Sequence, residues 1–102
     1  MEIFFTAGQF TAARALSMGL VNQVVPAVEL DGAVDEMTRQ IADNAPLTIA
    51  AIKASARELG KPEASRDLAR LDRLVTACFE SEDYVEGRRA FMEKRKPVFK
   101  GR

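Results

Sequence analysis

The sequence predicts an all-α fold, a small bundle of four to five helices, and three observations carry that expectation. Apolar residues recur at helical spacing, as in Leu30, Val34, Met37 and Ile41, which stand four, three and four residues apart. Stop signals at Gly19, Asn44-Ala45-Pro46, Gly60 and Pro97 cut the chain into helix-sized pieces. Val21, Val24 and Val25 ahead of Pro26 mark one short extended segment rather than a sheet. The 102 residues form one domain, 1–102, with no internal repeat and only short linkers. A domain this small buries only about 60 to 65 per cent of its unfolded surface, so its own core is thin.

Taken in order, Thr11 reads as the N-cap of a two-turn helix, AARALSM, closed by Gly19 in the position just past the helix end. After the extended LVNQVVP stretch comes an amphipathic helix from Val28 to Asp43. Asp31, Asp35 and Glu36 lie on its polar side, with acid near the dipole-positive start. Pro46 is suited to the first position of the next helix, which runs to Leu59 before Gly60. That helix has two apolar stripes. Leu47, Ala50, Ala51 and Ala54 take one side, and Ile49, Ile52, Ala56 and Leu59 fall nearly opposite. It therefore needs two partners, either as the centre of a compact monomeric bundle or by meeting another domain or subunit. Leu68, Leu71, Leu74, Val75, Cys78 and Phe79 line a further helix from about Ala64 to Glu80, and Ser81 caps a last one through Lys96, stopped by Pro97.

Composition narrows the chemistry. With no histidine, neither a Ser-His-Asp nor a Cys-His centre can be built, and no metal-ligand spacing or glycine-rich phosphate loop occurs. The lone Cys78 excludes an internal disulfide and sits on an apolar stripe, as a buried inert thiol does. The acid pairs Asp35/Glu36 and Glu82/Asp83 are accounted for by a wet helix face and a helix start. The start MEIFFTAGQF has no basic segment ahead of its apolar residues, and the longest uncharged run, Ala15 to Val28, is too short to span a bilayer. A cytoplasmic protein without membrane contact is expected. Ala15, Gly19 and Val25 match the packing offsets of a helix-turn-helix, but Pro26 and three valines fill its second helix, and no Arg or Lys is there to reach DNA. Nucleic acid is not an expected partner.

Charge is segregated. Residues 88–102 hold seven basic residues and one acid, plus 6, so residues 1–87 hold the remaining eight and fourteen, minus 6. Arg88, Arg89 and Lys94 to Lys96 stand late in the last expected helix or just past it, where the dipole favours cations. Phe91 precedes Lys94 by three residues, which sets an apolar plate beside an ammonium; that pair suits a base and a phosphate. Solvated helix end and anion site are both open readings of this segment.

FTAARALSMGLVNQVVP, NAPLTIAAIK and SEDYVEGRRAFMEKRKPVFKGR, in this order and joined by amphipathic helices, closely resemble the C-terminal part of the enoyl-CoA hydratase/isomerase (crotonase) family across essentially the entire chain. The resemblance implies an α-helical region that packs on a larger β-rich core and helps assemble homo-oligomers, trimers or hexamers. It implies an acyl-CoA thioester as ligand, with CoA part of the substrate and no separate cofactor. Family members stabilise an enolate with two backbone N–H groups, and in the hydratases acidic side chains add water across a 2,3-double bond, a step of fatty-acid metabolism. Those parts belong to the N-terminal core, which no stretch of this chain matches, so no catalytic residue is expected here. By resemblance only, Phe91 and Lys94 match positions that reach the CoA of a neighbouring subunit, with Lys94 drawing a phosphate and Phe91 lining the acyl or adenine side. The expected function is the C-terminal part of a 2-enoyl-CoA hydratase-like enzyme. The alternative is a catalytically silent, stand-alone helical self-association module.

Overall fold

The computed structural model describes residues 2–102, and they are helical, with no strand among them. Six α-helices follow in order: α1 (Glu2–Thr6), α2 (Ala12–Ser17), α3 (Leu30–Ala42), α4 (Pro46–Leu59), α5 (Leu68–Phe79) and α6 (Glu82–Glu93). Short 3-10 turns at Ala27–Glu29 and Glu63–Ser65 precede α3 and α5. The all-α expectation holds. The five-residue α1 was not expected, because EIFFT has neither a cap nor a period to announce it. No described helix is long and apolar enough to cross a membrane.

The chain divides into two compact units, residues 1–36 and 37–102. In the first, the Thr11 hydroxyl accepts the Arg14 N–H at 3.2 Å and starts α2. Gly19, at φ 70°, ends it: the Leu20 N–H reaches Ala15 O at 2.9 Å and the Gly19 N–H reaches Leu16 O at 3.0 Å. This is the paired-bond closure that left-handed residues make at helix ends. The valine stretch that follows is irregular, and Pro26 sits in extended backbone.

In the second unit α4 packs on α5, and α5 on α6. Of the two stripes of α4 the first is the better covered. Ala51 and Ala54 are buried and Leu47 half-buried, with Ala50 exposed; on the second Ile49 is half-buried, whereas Ile52 and Leu59 are 60% and 70% exposed. α4 is therefore not the covered centre of a bundle within this chain. Glu58 completes the covered stripe, 3% exposed, and its carboxylate accepts Lys61 Nζ at 2.7 Å and the Asp67 N–H at 3.0 Å. That second bond corrects the expected start of α5. With Asp67 tied to Glu58 and capping the Arg70 N–H at 2.8 Å, the helix begins at Leu68 and not near Ala64.

Among the described residues the buried apolar ones are all alanines: Ala15, Ala51, Ala54 and Ala90. Large apolar side chains stay open to solvent, including the whole α3 stripe of Leu30, Val34, Met37 and Ile41. The exposed area is 8567 Å². A folded chain of this mass has about 5,700 Å², and about 6,800 Å² even if its two units were separate globules. Large apolar side chains left open in this number are a surface suited to a partner.

Candidate functional site

α6 begins where Ser81 accepts the Tyr84 N–H at 3.0 Å and donates to Cys78 O at 2.7 Å, so one hydroxyl both ends α5 and starts α6. Phe79 meets Tyr84 edge to face at 5.2 Å across the same corner. α6 ends sooner than expected. The sequence reading carried it to Lys96, but Lys94 is left-handed, φ 54° and ψ 38°, and the helix stops at Glu93. The Arg95 N–H returns to Ala90 O at 3.0 Å and the Lys94 N–H to Phe91 O at 3.3 Å, the same closure that Gly19 makes, here on a residue with a Cβ.

From that corner the tail doubles back along α6. Glu86 Oε1 accepts the Val98 N–H at 3.0 Å; Asp83 Oδ1 and Oδ2 accept the Lys100 and Gly101 N–H groups at 2.6 and 2.7 Å; and the Asp83 N–H donates to Arg102 O at 3.1 Å. Gly101 turns through φ 76° beside Pro46 at the start of α4. The Phe99 ring lies over Gly87 with 3.5 Å to where a Cβ would stand. That is ordinary contact distance, so Gly87 provides no more than room an alanine could share.

These contacts revise the basic segment. Arg95 is past the helix, and its charge is met by Glu86, at 2.6 and 2.9 Å through two nitrogens, and by Glu93 at 2.6 Å. Lys96 pairs with Asp43, Arg102 with Glu82, and Arg88 lies 5.8 Å from the centre of the Tyr84 ring. Helix-end stabilisation of Arg95 and Lys96 is replaced by specific pairing. Lys94, in contrast, is exposed and forms no ion pair among the described residues. Phe91 is 82% exposed, one turn earlier. The two candidate residues therefore share one solvent-facing corner, joined by the Lys94–Phe91 backbone bond and not by a common helix face.

Beneath that corner, α4, α5, α6 and the tail enclose an open apolar cavity of about 600 Å³. Phe91, Met92, Phe99, Ile52 and Phe79 line it; Lys94 does not. Cys78 lines it too, half-buried rather than buried. A second hollow of about 530 Å³ runs along the tail and is charged, with Glu82, Glu86, Arg89 and Lys100. The sequence reading missed Asp83 and Glu86 as tail anchors. Their one legible signal was the i, i+3 spacing of two acids, which fits a helix start equally well.

The Arg95 guanidinium and then the Val98 N–H hold the Glu86 carboxyl well below its usual 4.5, at about 2. A carboxyl depressed in the folded state adds stability that is complete above about pH 4.5 and drains away as pH falls toward about 2. The Val98 amide should accordingly lose exchange protection over that acid window. Glu86→Gln should flatten the profile; a profile unchanged by the substitution would contradict the assignment.

The geometry defines a helical segment with a latched tail, an exposed cationic corner and apolar faces left open. The chain belongs to the enoyl-CoA hydratase/isomerase family, whose model matches residues 1–102. It is 44% identical over 102 residues to the methylmalonyl-CoA decarboxylase of Escherichia coli K12, covering 98% of this chain and 39% of that protein. A carnitinyl-CoA dehydratase of Salmonella paratyphi A is 38% identical over 105 residues, covering 99% of this chain and 40% of the relative. Among solved structures, an enoyl-CoA hydratase of Bacillus anthracis superposes with a TM-score of 0.83 at 27% identity, over 99% of this chain and 40% of that one. One from Mycobacterium marinum gives 0.81 at 30% identity, over 96% and 39%. The chain thus spans about two fifths of the length of the relatives it matches.

Proposed function

We propose that this chain is the C-terminal helical region of an enzyme acting on acyl-CoA thioesters, in the manner of a 2-enoyl-CoA hydratase, and that it supplies subunit contacts and part of the lip around CoA. The observation that carries the reading is the pairing of an exposed Phe91–Lys94 corner with apolar helix faces that none of the described residues covers. The relatives' names differ in chemistry, decarboxylase, dehydratase and hydratase, but share CoA. A segment common to all three serves what they share. Lys94 offers an unpaired ammonium to a CoA phosphate, and Phe91 an apolar plate to the adenine or acyl portion. Enolate stabilisation and carboxylate-assisted water addition fall to the remainder of the enzyme.

The alternative is a silent self-association module, favoured by the open second stripe of α4 alone. Crotonyl-CoA absorbance separates catalysis from its absence. The purified 102-residue chain should leave the enoyl absorbance unchanged over hours, and robust hydration by the chain itself would overturn the division of labour.

A further inference from the structure

The left-handed turn at Lys94 is costly for a residue with a Cβ, and Ala7 is the only other non-glycine residue with positive φ among those described. Lys94's own side chain makes no polar contact among the described residues, so the constraint comes from its neighbours. Arg95, the next residue, is fixed through its N–H to Ala90 and through both arms of its guanidinium to Glu86. The same carboxylate takes the Val98 N–H, three residues further on. Glu86 therefore grips the chain at two points just beyond the corner and dictates its exit direction, although its side chain does not touch Lys94. Without that grip the two backbone closures could be exchanged for water at an exposed helix end.

We infer that Glu86 is a positioning residue: through Arg95 and Val98 it forces the left-handed turn that projects Lys94 away from the surrounding acids and toward the CoA phosphate. This rests on the functional reading above. It also accounts for why Lys94 stays unpaired while Arg95, Lys96 and Arg102 all find carboxylates.

A stability cycle on the 102-residue chain tests the device without any ligand. If Glu86 imposes the turn, Lys94→Gly relieves strain and raises the folding constant about threefold, the relief being partly offset by glycine's greater freedom in the unfolded chain. In the Glu86→Gln background the turn is no longer imposed, and Lys94→Gly should raise nothing. An equal gain in both backgrounds would overturn the inference, since the backbone closures alone would then set the turn. Should Glu86→Gln not fold, Arg95→Lys takes its place: it keeps the charge and removes the two-armed grip. A second arm titrates free CoA, followed by the amide shifts of residues 91–95. Glu86→Gln should weaken the response about threefold or more, Lys94→Ala should abolish it, and the pair should be no worse than Lys94→Ala alone. Coupling in the cycle with a CoA response indifferent to Lys94→Ala would leave the device standing and sink the functional reading. Additivity in the cycle sinks the device whatever CoA does.

Discussion

Asp83→Ala is expected to free the C-terminal tail and to destabilise the fold by about 2–3 kcal/mol, the worth of two hydrogen bonds to an ionised acceptor less what water restores to their donors. Asp83 is 4% exposed, and its two oxygens receive the Lys100 and Gly101 N–H groups at 2.6 and 2.7 Å. Losing them also loosens the Phe99 ring over Gly87 and the Gly101 turn against Pro46. Denaturant midpoints report the stability, and hydrogen exchange at Lys100 and Gly101 reports the site. Glu82 is the internal control. It neighbours Asp83 in sequence, but its pair with Arg102 joins side chains that are 70% and 67% exposed. Removing it should change stability by less than about 0.5 kcal/mol. Equal losses from the two substitutions would show that helix-start charge, not the latch, is the source of the effect.

Self-association is the second large effect expected. The total area left open exceeds what one or two globules of this mass expose, and it includes the exposed side chains of Ile52, Phe79, Phe91 and Met92 around one open cavity. Burying such side chains is worth roughly 25 cal/mol per Å², enough for a standard interface of about 1,600 Å² to form once its ordering costs are met. Light scattering should give a mass that rises with concentration above the 11.2 kDa of one chain. Ile52→Glu places a charge on the open stripe of α4, where the side chain is already 60% exposed. It should restore the monomer mass while leaving the thermal midpoint of the isolated chain nearly unchanged. A chain that is monomeric at every concentration, or association indifferent to Ile52→Glu, would remove the two-partner reading of α4.

What the sequence disclosed was local, and what it hid was not. Thr11, Gly19 and Ser81 each mark a helix end through a bond to a residue within five positions, and Pro46 marks one through its fixed backbone angle at the first helical position, so their types and spacing were sufficient. The two-stripe pattern of α4 needed no partner to be visible, though which stripe the chain itself covers depended on where α5 lies. The start of α5 was misplaced because Asp67 answers to Glu58, nine residues away across Gly60 and Pro62. The end of α6 was misplaced for a like reason. Pro97 is a strong stop signal, but the helix breaks three residues earlier at a lysine that nothing in its own type suits to a left-handed turn. The fate of the basic segment turned on partners 9, 12 and 53 positions away. Composition counted those charges correctly and gave no means of pairing them. Phe91 and Lys94 entered by resemblance; the structure adds that they share an exposed corner and that Lys94 has no ion-pair partner among the described residues.

The most direct test of the central claim, that this chain carries a CoA lip at Phe91 and Lys94, is a titration of the 102-residue chain with free CoA followed by backbone amide shifts at two ionic strengths. One ammonium–phosphate contact and one stacked ring support binding on the order of millimolar. The shifts are expected to be confined to residues 91–95, weakened by salt as a surface phosphate contact must be, and lost in Lys94→Ala. Shifts that ignore this corner, or that persist unchanged in Lys94→Ala, would contradict it.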